Sequence, residues 1–281
     1  MHEASAETSW LSLDLDRAPE LVGARLAMHW AAQLPAAAGA TLVPARDDYS
    51  HTALTWIPEV MALVTEPLEL ALGSPRVGLR LRDLALILVT DETVAASYPL
   101  AGRTFLMGLQ WLAQRLGAAL LERPPHELPA HAVERGETFA EQDAAALAQL
   151  EAWFANAHHV LREVAVGDGW SPLRCWPHHF DIATLKSLEP GVDPEKARSI
   201  GMGMSPGDGS YQEPYFYVNP WPAPSAPEAE PLRHGGAWHT EGWTGAVLPA
   251  GRIDADSQAR QVRGFLESAI GAAARVLGSA D

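Results

Sequence analysis

Apolar residues recur along this chain at two periods, three- to four-residue steps and every second position, and the two patterns divide it into helices and short strands. Leu21, Val22, Leu26, Trp30 and Leu34 fall on one stripe, which predicts an amphipathic helix over residues 19–38, ended by Pro35 and Gly39. Strands are expected over residues 40–43, 52–57, 60–64, 77–81, 84–89 and 93–98, between the turn formers Asp47-Asp48, Pro67, Gly73-Ser74-Pro75 and Asp91-Glu92. A second helix over 104–121 lines up Phe105, Leu109, Leu112, Leu116 and Leu120. Thr138 followed by Glu141 has the spacing of a capping box and predicts a third helix over 139–166. Further strands are expected at 173–176, 179–185, 199–204, 215–219, 237–239 and 243–248, and a last helix at 255–277. The glycine-rich residues 201–209 read as a flexible loop able to act as a lid, and the proline-rich residues 220–231 as an extended loop.

The order helix, strands, helix occurs twice. Tyr98-Pro99-Leu100-Ala101-Gly102-Arg103 before the second helix is matched by Leu248-Pro249-Ala250-Gly251-Arg252 before the last. The expected fold is therefore α+β, with two similar units of helix, antiparallel strands and helix related by a pseudo-twofold duplication. The boundaries are an N-terminal unit over 1–124, a linker over 125–137, and a C-terminal unit over 138–281 that carries the candidate site.

Charge and composition narrow the partners. A formal net charge of -15 is spread along the chain and supplies no Lys/Arg footprint, which speaks against a nucleic acid. The longest apolar runs fall far below the roughly 20 residues of a membrane span, and the first residues lack the basic and apolar regions of a signal peptide. The single cysteine, Cys175, excludes an intramolecular disulfide. A cytoplasmic protein is expected, with no nucleic acid and no membrane as partner; a small polar molecule or another protein remains.

The chemistry gathers in the C-terminal half, around Trp176-Pro177-His178-His179-Phe180-Asp181. Residues two apart share a strand face, so an extended 179–185 would aim His179 and Asp181 the same way. The same rule puts Glu213, Tyr215 and Tyr217 together, and His239 with Glu241. If these faces converge, two chemistries are open. A divalent metal (Zn, Fe or Mn) would be held by His179, Asp181, His239 and Glu241. Without metal, His179, Asp181, Glu213 and Tyr217 would act as general acid and base, with His51, His178, Tyr215 and Trp238 contacting the substrate.

Met28-His29-Trp30, Ser50-His51, Ser171-Pro172 leading to Phe180-Asp181-Ile182-Ala183, Pro206-Gly207-Asp208 and Glu213-Pro214-Tyr215-Phe216-Tyr217 occur in that order. In this the chain resembles an uncharacterised bacterial family, a domain of unknown function, over nearly its whole length. The resemblance implies a common fold and singles out Asp181, Glu213 and Tyr217. Two functional expectations stand beside it: an enzyme acting on a small polar molecule by His/carboxylate chemistry, or a non-catalytic module that binds a small ligand or a protein through the tryptophan- and proline-rich surface around Trp221, Trp238 and Trp243.

Overall fold

A computed structural model describes residues 10–71, 73–192, 196–225 and 230–278. The class is α+β: helices with antiparallel sheets. Contacts divide the chain into two compact units. The first holds residues 20–151 with 174–180, and the second holds 10–19, 152–173 and 181–278. This division differs from the one expected at 125–137, because residues 125–151 and 174–180 group with the N-terminal half and residues 10–19 with the C-terminal half.

In the first unit, helix α1 (Val22–Leu42) runs through Pro35 to Leu42, past the expected end and over the strand expected at 40–43. Its residues are buried from Met28 to Gly39, so packing on every side holds a helix that Pro35 alone would have stopped. Gly39 is needed there because a Cβ would strike the His51 carbonyl. Strands β1 (Thr55–Ile57), β2 (Ala62–Val64), β3 (Arg76–Arg80), β4 (Ala85–Thr90) and β5 (Thr93–Pro99) form an antiparallel meander in sequence order. Ala62, Val64, Ile87 and Val89 close one core beneath it. The short β6 (Arg174–Trp176) brings the buried Cys175 against Leu54.

Helix α2 (Phe105–Leu116) starts at Thr104, whose hydroxyl accepts from the Met107 amide, and ends at Gly117 in the left-handed region. Thr104→Ala should cost about 1 kcal/mol, read as a lower urea midpoint with an unchanged slope; an unchanged midpoint would show the cap to be idle. The capping box at Thr138 does not form. Phe139 is fully buried and its backbone pairs with Gly102 and Arg103, so α3 (Ala144–Val164) starts later, where the Asp143 carboxylate accepts from the Ala145 amide.

The second unit is built on β7 (Asp181–Ser187), β8 (Ser199–Ser205), β9 (Tyr215–Trp221), β10 (Ala237–His239) and β11 (Gly245–Pro249), which lie side by side in the order β7, β8, β9, β11, β10. One face carries Ile182, Met202, Met204, Phe216 and Val218, all buried. Trp153 of α3 packs on Phe216, and α4 (Gln258–Val276) packs across β9 and β8. The other face carries Asp181, Gly201, Gly203, Ser205, Tyr215, Tyr217 and Asn219, by the alternation of strand side chains. The glycine-rich residues 201–205 are thus an interior strand, not a loop; only 206–214 turn away from the sheet. Pro220 is inside the β9 ladder, opposite Ile200, and residues 226–229 of the proline-rich stretch lie outside the described residues. Among the described residues no helix is long and apolar enough to cross a membrane.

Candidate functional site

The face of the sheet opposite Phe216 and Val218 gathers the polar chemistry. Tyr217 on β9 lies across Gly203 of β8, where a Cβ would come within 2.6 Å of its hydroxyl, and so reaches β7, donating to the Asp181 carboxylate at 2.5 Å. Tyr215, one pleat along, donates to Oδ2 of Asp208 at 2.6 Å. The other oxygen of Asp208 accepts the amides of Ser210 and Tyr211, which fixes the 206–214 turn and presents the carboxylate to the sheet. Trp243 folds back over Gly245, its ring stacked at 6.4 Å from Tyr215 and edge-on at 6.3 Å from Tyr217. His239 sits 4.6 Å from the Trp243 ring.

Proton positions follow from the partners. The Glu241 carbonyl can only accept, so His239 donates from Nε2 at 2.7 Å, and its Nδ1 accepts from the Tyr211 hydroxyl at 3.1 Å. Burial, then the Asp181 carboxylate beside it, pushes the Tyr217 phenol well above its ordinary value. Burial and the bond to Asp208 do the same to Tyr215. Tyr211 is raised by burial, with Arg252 opposing and Asp208, Glu241 and Glu213 adding to the rise. These phenols stay protonated at neutral pH and serve as hydrogen-bond donors, not as proton-transfer groups.

Of the residues expected to form a site, Asp181, Tyr215 and Tyr217 come together, and His239 joins them through Tyr211 and Trp243. Glu213 does not join by its carboxylate, which instead accepts the Gly251 amide at 2.6 Å. Trp238 donates to the Glu230 carbonyl, and Glu241 contributes only its backbone carbonyl to His239. Trp243 belongs to the tryptophan surface expected of a binding module, whereas Asp208 and Tyr211 are not among the expected site residues. Pro206-Gly207-Asp208 was visible in the sequence, but nothing in it joins the aspartate to Tyr215.

The remaining expected residues belong to the first unit. His178 and His179 are in a turn and not on a strand: Pro177 has no amide to donate, and Phe180 takes a positive φ of 56° that breaks the extension before Asp181. The alternation that would have aligned His179 with Asp181 is therefore absent. His29 fixes this turn, donating from Nε2 to the Pro177 carbonyl at 2.9 Å and stacking on Phe180 at 5.4 Å, while Gln33 donates to the same carbonyl at 2.6 Å. His178 packs between His179, at 4.2 Å, and His126, at 5.1 Å. Burial lowers both His29 and His178 to about 4, with the neighbouring histidines contributing to His178. His51 is buried in a short helical turn, its Nδ1 accepting from the Arg46 amide.

The metal expectation finds no matching geometry. Among the described residues no three His, Cys, Asp or Glu side chains form a group that could hold a metal ion. His239 uses both ring nitrogens in hydrogen bonds, and the Asp181 carboxylate accepts from a phenol.

Compared with models of protein families, with curated proteins and with solved structures, the chain matches none.

Proposed function

We propose that the chain is a small-ligand-binding module whose site is the tyrosine, tryptophan and carboxylate patch on the sheet face of the second unit opposite Phe216 and Val218. The observation that carries this reading is the pair of phenol-to-carboxylate hydrogen bonds, Tyr217 to Asp181 and Tyr215 to Asp208, held side by side beneath Trp243. Ligand sites combine aromatic walls with a few fixed polar groups. Here glycines in β8 let those groups lie flat across the sheet, an arrangement that core packing alone does not call for. The His/carboxylate enzyme reading is less well supported, since no imidazole of the patch faces a carboxylate and the phenols are held protonated. The resemblance to the uncharacterised bacterial family belongs to the same proposal, because Asp181, Asp208, Tyr215 and Tyr217 all lie in the segments that carry it. So does the duplication, which the runs of consecutive antiparallel strands, β1 to β5 and β7 to β9, favour.

A thermal-shift screen of small polar compounds tests this. A compound held at 100 times its Kd stabilises by about 2.7 kcal/mol, and that gain should disappear in Tyr217→Phe and Trp243→Leu. Hits that persist undiminished in both variants would place binding elsewhere and end the proposal.

A further inference from the structure

Four side chains of the first unit lie one on the next where β5 leads to α2. The Arg103 guanidinium lies over the Tyr98 ring at 4.3 Å, Tyr98 stacks on Trp111 at 5.1 Å with the rings 18° from parallel, and the Arg115 guanidinium lies over Trp111 at 5.7 Å. Helix geometry builds half of this stack: Met107, Trp111 and Arg115 are four residues apart, which sets them in one row along α2. Met107 and Arg115 are exposed, and the two rings are half-buried.

Both ends of the stack carry charge that the chain itself does not answer. Arg103 donates from Nε to the Pro99 carbonyl at 3.1 Å, which holds it over Tyr98. Among the described residues Arg115 has no hydrogen-bond acceptor, and neither arginine joins an ion pair. Elsewhere carboxylates take such groups: Glu66 takes Arg46, Glu151 takes Arg82, Glu189 takes Arg198 and Glu163 takes Arg263. Arg123, which lies over Trp30, is spent on the Pro124 and His126 carbonyls. Stacking on the rings orders the Arg103 and Arg115 forks in advance, so a partner meets them at a lower entropic cost.

We infer that this surface docks an acidic segment of a partner protein, with carboxylates on Arg103 and Arg115 and an apolar side chain between them against Trp111 and Met107. The inference is independent of the ligand-site reading, which concerns the second unit. Trp, Tyr, Met and Arg are enriched at protein interfaces, and Trp, Tyr and Arg dominate the binding energy there. A guanidinium presents a planar fork that matches a carboxylate. A nucleic acid fits less well, because two cations neutralise too little of its backbone and a chain with a formal net charge of -15 repels it. A second copy docked through the same surface would set one cationic stack against another. Repulsion between an acidic partner and this acidic chain is screened over about 8 Å at physiological salt, so the local pairs decide.

The test uses the full chain as bait for a phage-displayed library of random linear peptides, with the double variant Arg103→Gln/Arg115→Gln as counter-bait. Peptides held by the wild type alone should carry Asp or Glu on both sides of an apolar residue. Synthesised, labelled and followed by fluorescence anisotropy, they should lose about fivefold in affinity in Arg115→Gln, the most that one exposed charge pair supplies, and about tenfold or more in the double variant. Copies with Asn and Gln in place of Asp and Glu should bind the wild type as weakly as the acidic peptides bind the double variant. Both substitutions lie at the surface, and circular dichroism checks that the variants keep the fold. The assignment falls if the recovered peptides carry no carboxylate, if they bind the double variant as tightly as the wild type, or if the library yields none. Sedimentation of the free chain adds one more outcome: a wild-type dimer that the double variant dissolves would make the occupant a second copy and overturn the acidic partner.

Discussion

Acidification from pH 6.5 to pH 4 should remove about 3 kcal/mol of stability through His29 alone. Burial under Phe180 holds this imidazole at about 4, against 6.5 for the free group, and each unit of such a difference is worth about 1.4 kcal/mol. The folded state prefers the neutral ring, so the contribution is complete above pH 6.5 and is lost as the pH falls toward 4. Protonation puts a charge into a buried site, where Arg25 and His179 already oppose it. His178, lowered to about 4 by burial and by His179, His126 and His29 around it, adds a smaller loss, because solvent reaches it and screens its charge. The two are neighbours in one cluster, so their losses will not simply add. Urea denaturation at several pH values, for the wild type and His29→Gln, isolates the effect. The variant should lose its packing contribution at every pH, yet show a shallower decline on acidification by about 3 kcal/mol. Parallel curves for the two proteins would mean that His29 titrates normally. His178→Ala gives a second comparison should His29→Gln fold poorly.

The fold was legible where local pattern and tertiary environment agree. β2 to β5 lie within a residue or two of their expected places because alternating apolar positions, bounded by Asp91-Glu92 and Gly73-Ser74-Pro75, leave a meander little choice of register. Pattern failed where a distant segment decided the matter. Pro35 does not stop α1, since burial on all sides outweighs one missing hydrogen bond. Thr138 does not cap a helix, since Phe139 is taken into the core and its backbone is claimed by Gly102 and Arg103. Asp181 and Tyr217 could be singled out from sequence, but the bond between them spans 36 positions and depends on Gly203, a residue that composition alone assigns to a loop. His179 was misplaced because one positive φ, at Phe180, separates a turn from the strand that follows it.

That dependence on Gly203 leads to the second large effect. A Cβ at position 203 would lie 2.6 Å from the Tyr217 hydroxyl, and 2.7 Å both from its ring carbon Cζ and from the Ile182 carbonyl. The ring could swing outward, but only by leaving Asp181; the Ile182 carbonyl belongs to the neighbouring β7 strand and cannot retreat without disturbing the sheet. Gly203→Ala should therefore cost about 1–3 kcal/mol, the range for inserting a methyl group where none fits, and should also abolish ligand binding at the patch. Gly201→Ala is the matched control. The three atoms nearest an added methyl there all belong to the Asn219 amide, which can rotate away, so stability should fall by less than at 203 and binding should survive. Urea midpoints and the thermal-shift screen, run on both variants, separate the two positions. Equal losses at 201 and 203 would show that the strand merely resists any side chain there, and that Tyr217 need not reach Asp181 for the patch to exist. A loss confined to 203 ties stability and binding to one geometric fact: β8 gives up a side chain at 203 so that Tyr217 of β9 can reach across it to Asp181.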